Sequence, residues 1–63
     1  MNKTTKEAIE YLISTLELTR YRLAVELGAS PSSVQQWLKE TLMSKAYADL
    51  IFKLYGITIT DAV

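Results

Sequence analysis

The 63 residues carry seven basic and seven acidic side chains, so the formal net charge is zero, and the chain is 49% hydrophobic and 22% charged, a globular composition and not that of a disordered segment. Without cysteine or histidine it has neither a disulfide framework nor the material for a zinc site. A domain of this length buries only about 60% of the surface its unfolded chain exposes, which leaves one modest core and little volume for a substrate cavity.

No window approaches the roughly 18 consecutive apolar residues of a membrane span, and Met1-Asn2-Lys3 leads into a polar helix start and not a signal-peptide core. The chain is expected to be cytoplasmic, with no membrane partner. No glycine-rich phosphate loop accompanies the missing histidine and cysteine, and the carboxylates are scattered at helical surface spacings. No enzyme, cofactor, metal or small-molecule substrate is therefore expected. With two glycines, one proline and no repeat or linker-like stretch, residues 1–63 read as one domain.

Taken in chain order, residues 5–18 place Ile9, Leu12, Ile13 and Leu16 at helical spacing with Glu7, Glu10 and Glu17 outside, which predicts a first helix. Thr19 offers an N-cap hydroxyl to a second helix over residues 20–27 with the inward stripe Leu23, Ala24 and Leu27, stopped by Gly28. Ser30-Pro31 opens a third helix: the serine caps free amides, and proline fits the first position, where no amide partner is needed. This helix, residues 31–40, turns Val34, Trp37 and Leu38 inward and Ser32, Ser33, Gln35, Gln36 and Lys39 outward. After Thr41, Leu42 and Met43, Ser44 is positioned to cap a fourth helix through Tyr55, ended by Gly56. Residues 57–60, Ile-Thr-Ile-Thr, alternate like a short strand or an extended linker before a last turn at Asp61. The predicted class is all-α: a small bundle of four to five helices with a possible short extended C-terminal segment.

Helices two and three meet across Gly28-Ala29-Ser30, a three-residue turn containing glycine, which suits two helices crossing at a steep angle. Ala24 is small where the two must touch, and Val34 and Trp37 anchor the second of them. Over residues 19–40 the chain resembles the phage Cro and repressor family of helix-turn-helix proteins. The run Ser33-Val34-Gln35-Gln36-Trp37-Leu38-Lys39-Glu40 is most similar to the Cro branch. The resemblance implies a transcription regulator that lays helix three in the major groove of double-stranded DNA while helix two crosses the backbone. The positions matching base contacts are then Pro31, Ser32, Gln35 and Gln36, and those matching phosphate contacts are Arg20, Ser33 and Lys39. A glutamine amide can donate to and accept from an adenine edge at once, and serine pairs with several edges. Pro31 departs from the family pattern, in which a hydrogen-bonding side chain often stands there.

Zero net charge runs against the basic footprint that DNA binding usually needs. It requires Lys3, Lys6, Arg20, Arg22, Lys39 and Lys45 to cluster on one surface, away from Glu10, Glu17 and Asp49. In helix four Tyr47, Leu50, Ile51 and Leu54 form one inward stripe. Ala48, Phe52 and Tyr55 form a second, with Ile57 and Ile59 following. A helix apolar on two sides suggests that the second is covered by another chain. Phe52, Tyr55, Ile57 and Ile59 are therefore expected at the interface of a weak homodimer assembled on an operator with two half-sites. The alternative is that the last helix wraps inward and Phe52 closes over helix one. The competing expectation is a protein-interaction module, antitoxin-like or an assembly factor, in which helices two and three are only scaffold.

Overall fold

A computed structural model describes residues 1–63. It is mostly helical, in the order β1 (Asn2–Lys3), α1 (Thr5–Thr15), α2 (Arg20–Leu27), α3 (Pro31–Lys39), α4 (Lys45–Tyr55) and β2 (Thr58–Ile59). No helix is long and apolar enough to cross a membrane.

At the start of α1, Thr4 Oγ1 accepts from the Glu7 N–H at 3.3 Å, and Glu7 Oε1 accepts from the Thr4 N–H at 3.0 Å. This reciprocal pair satisfies two amides that the first helical turn leaves open. The helix ends at Thr15, short of the expected Leu18, because Glu17 adopts φ 54°. The Leu18 N–H then reaches back to the Ile13 carbonyl at 3.2 Å, a closure most helices make with glycine at the left-handed position. Leu16, expected inside, is left exposed by this early turn.

The next two helices form as their punctuation predicts. Thr19 Oγ1 accepts from the Arg22 N–H at 3.0 Å, and Gly28 closes α2 with φ 65°, a conformation that costs glycine nothing. Ser30 Oγ accepts from the Ser33 N–H at 3.2 Å, with Pro31 at the first position of α3. Leu23, Ala24 and Leu27 are buried from α2, and Val34 and Trp37 from α3. Ala8, Ile9 and Leu12 of α1 join them in one continuous cluster. Because α3 packs against both α1 and α2, its inner side is fixed from two directions while its outer side stays free.

The fourth helix departs from the sequence reading. Its buried line is Ala48 and Ile51, flanked by the partly buried Tyr47, Leu50 and Tyr55. Leu54, expected inward, is exposed, whereas Ala48, expected on the outer stripe, turns in. Tyr47 sets its ring edge against Trp37, centroids 5.1 Å apart and planes at 65°, an arrangement that aromatic quadrupoles favour. Ser44 makes no side-chain cap bond to α4.

Within residues 57–60, Thr58–Ile59 form a short strand. β2 pairs in parallel with β1, Asn2 opposite Thr58 and Lys3 opposite Ile59, a partner that no local pattern announced. The alternation decides the faces: Ile57 and Ile59 are 1% and 9% exposed, and Thr58 and Thr60 face out. This corrects the expectation that Ile57 and Ile59 lie between two copies, because both close the chain's own core beneath α4. Beyond β2, the Val63 N–H donates to the Met43 carbonyl at 2.9 Å and the Lys45 N–H to the Val63 carbonyl at 3.0 Å. Residues 57–63 therefore lie between the N-terminus and the α3–α4 connection.

Candidate nucleic-acid interface

The free side of α3 is bordered by two hollows, one for each half of the helix. Beside its N-terminal half, Pro31, Ser32 and Gln35 face Arg20 and Tyr21 from the start of α2 across a hollow of about 220 Å³. Beside its C-terminal half, Gln36, Lys39, Glu40 and Thr41 face Lys6 from the start of α1 across a hollow of about 610 Å³. Each hollow thus contains one of the two glutamines and at least one cation. The arrangement follows from the packing: α1 and α2 both present their first turns to α3, and Lys6 and Arg20 occupy those turns.

The expected base contacts are only partly alike. Ser32 and Gln36 are exposed, whereas Pro31 and Gln35 are half-buried. Gln35 Oε1 accepts a hydrogen bond from the Arg20 guanidinium, so a residue expected at a phosphate and a residue expected at a base are joined side chain to side chain. Among the expected phosphate contacts, Lys39 is exposed and without an acidic partner. The Ser33 hydroxyl is half-buried and lies 3.1 Å from Ser30 Oγ. It is engaged in the helix cap, which reduces what it can offer to a ligand.

The cations cluster less fully than zero net charge required. Lys6, Lys39 and Arg20 border α3. Arg22 is instead paired with Glu26 at 3.3 Å on the surface of α2, and Lys3 lies over the Tyr11 ring, its Nζ 4.7 Å from the centroid. Glu40 shares the larger hollow with the two lysines and offsets part of their charge.

Three residues of the site escaped the sequence reading. Lys6 was visible only as one of several cations, and Thr41 as part of a connection. Tyr21, 72% exposed beside Arg20, had a usable signal: it falls off the Leu23, Ala24 and Leu27 stripe at the start of a helix, where a phenol can meet a phosphate.

Of the residues expected between two copies, Phe52 is 58% exposed and Tyr55 is partly buried. Burial, and secondarily the Glu26 carboxylate of α2, push the Tyr55 phenol above its ordinary value. Tyr55 therefore belongs in part to the α2–α4 contact, and Phe52 is the remaining outward member of the stripe.

Compared with known protein families, curated proteins and solved structures, the chain matches none.

Proposed function

We propose that this protein is a sequence-specific DNA-binding regulator of the helix-turn-helix kind, with α3 in the major groove and α2 across the backbone. The observation that carries the reading is the division of the α3 surface, with Gln35 beside Arg20 at one half and Gln36 beside Lys6 and Lys39 at the other. Neutral side chains that can donate and accept suit base edges, and cations on both flanks suit the phosphates that wall a groove. Local charge of this kind compensates for zero net charge, since a polyanion responds to the potential where it binds.

One recognition helix spans only a few base pairs, so the reading includes a second copy related by a two-fold axis, with half-sites about one helical turn apart. Phe52, a large aromatic exposed on the outer side of α4, is the residue proposed for that contact. Selection from a randomised duplex library, followed by footprinting of the enriched sequence, tests the whole reading. A defined site whose affinity falls steeply with salt is expected; enrichment of no sequence would overturn it.

A further inference from the structure

Asp49, Phe52, Lys53 and Gly56 recur at i, i+3, i+4 and i+7 along α4 and are all exposed, so they share its outward side. Asp49 and Lys53 are spaced for an ion pair within the helix, but the ion pair of the chain joins Arg22 to Glu26. Two opposite charges therefore stand unpaired beside an exposed phenylalanine. A two-fold axis restricts how such a side can meet a second copy, because it repeats every contact with the two residues exchanged. In a parallel pairing each residue lies beside its equivalent, Asp49 on Asp49 and Lys53 on Lys53, and both contacts repel. In an antiparallel pairing with the axis level with Ile51, Asp49 lies opposite Lys53 of the other copy, and the exchange makes this contact twice. The two Phe52 side chains then lie about 3 Å apart in level along the helices, and Ala46 lies opposite Gly56. Both are small, and a Cβ at Gly56 would meet nothing within 4 Å, so the backbones have room to approach. Sliding the copies by one helical turn in either direction returns Asp49 to Asp49 or Lys53 to Lys53. Lys45, the remaining charge on this side, lies past the end of the other helix in the favoured register.

Resting on the two-copy part of the DNA-binding reading, we infer that the outward side of α4 is a docking surface for a second copy of this chain, antiparallel, with two Asp49–Lys53 pairs setting the register around Phe52. The charges choose the partner more than they hold it: an exposed pair adds little affinity, whereas like charges brought together exclude a wrong register. One helix of 11 residues also offers less than the roughly 800 Å² per partner that stable interfaces bury. The contact therefore suits copies already brought together on neighbouring half-sites.

The test exchanges the charges in the full chain: wild type, Asp49→Lys, Lys53→Asp, the double exchange, and an equimolar mixture of the two single variants. Each is measured as cooperativity on the enriched palindrome relative to an isolated half-site, and as self-association of the free protein by sedimentation equilibrium up to millimolar concentration. Either single variant should lose at least about fivefold in both, since it sets like charges opposite each other twice. The double exchange should regain wild-type behaviour. So should the mixture, in which each chain keeps its own substitution and only the pairing between chains is restored. Both residues are exposed, so every variant should keep the helical circular-dichroism spectrum of wild type. If one does not, Asp49→Asn and Lys53→Gln replace the exchanges, each expected to weaken pairing and neither to rescue the other. Single variants that pair as wild type does, or exchanged charges that the mixture does not repair, would overturn the register while leaving DNA binding intact. A wild type that neither cooperates nor self-associates would overturn the inference and leave this side of α4 to a different partner. If the library enriches no sequence, the DNA-binding reading fails by itself, and the free-protein measurement still decides how α4 pairs.

Discussion

Thr5 Oγ1 donates to Asp61 Oδ1 at 2.7 Å, joining the first residue of α1 to the turn after β2. The same carboxylate oxygen accepts the Thr5 N–H at 2.8 Å, and the hydroxyl in turn accepts the Met43 N–H at 3.1 Å. One buried threonine therefore holds three parts of the chain together: the start of α1, the α3–α4 connection and the C-terminal turn. Thr5→Val keeps the shape but leaves the buried Met43 amide without its acceptor. It should cost about 1 to 3 kcal/mol of stability, measured by urea denaturation. A loss well below that range would mean that water or a shifted backbone replaces the hydroxyl.

Acid should weaken the start of α1. The Thr4 backbone N–H and then the Thr4 hydroxyl stabilise the Glu7 carboxylate, holding it below its ordinary value of 4.5. A carboxyl lowered on folding contributes stability above its unfolded value, and this is lost as pH falls through the folded one. The window is therefore below about pH 4.5, where protonated Glu7 resembles glutamine. The melting temperature of wild type should exceed that of Glu7→Gln at pH 6, and the gap should close on acidification below pH 4. A gap that stays constant across that range would remove the charge from the cap.

How much of this was readable beforehand depends on whether the cause is local. Helices α2 and α3 were legible because Thr19, Gly28, Ser30 and Pro31 act on amides and dihedrals within a few residues of themselves. The end of α1 was not, since Glu17 carries no mark of a left-handed conformation that glycine usually fills. Nor was the β1–β2 pair, which joins Lys3 to Ile59 and so depends on the finished fold. That one unseen pairing decides the fate of Ile57 and Ile59: without it they look like spare apolar surface, and with it they are core. For the site, the outward side of α3 was plain from its phase against Val34 and Trp37. Its neighbours Lys6 and Tyr21 come from first turns of other helices, which only packing brings near.

The two lysines beside Gln36 should report on salt. Each phosphate neutralised by a side chain contributes about 0.9 to the slope of log affinity against log salt. Lys6→Ala and Lys39→Ala should each flatten the slope by about one, and together by about two, with site preference unchanged. Lys53→Ala, exposed on α4 and bordering neither hollow, is the control and should leave the slope as it is. Fluorescence anisotropy on the enriched duplex at several salt concentrations checks all four. Equal slopes for wild type and the double variant would place the phosphates elsewhere.

Phe52 and Ile57 separate pairing from folding, since they were grouped in the sequence and are parted in the structure. Ile57 is fully packed in the core, so Ile57→Ala should lose about 2 to 5 kcal/mol whether or not the protein pairs. Phe52 is exposed on α4, so Phe52→Asp should change the stability of the single chain by no more than about 0.5 kcal/mol. Its effect is expected on DNA: a charge in a small apolar contact opposes pairing, and a contact of this size assembles mainly where the operator brings two copies together. Wild type should fill a palindromic site cooperatively with two copies while sedimenting mostly as a monomer at micromolar concentration. Phe52→Asp should bind an isolated half-site as wild type does but lose the cooperativity on the palindrome. If Phe52→Asp instead fills the palindrome with undiminished cooperativity, the two copies meet through another surface, and the exposed side of α4 has no part in it.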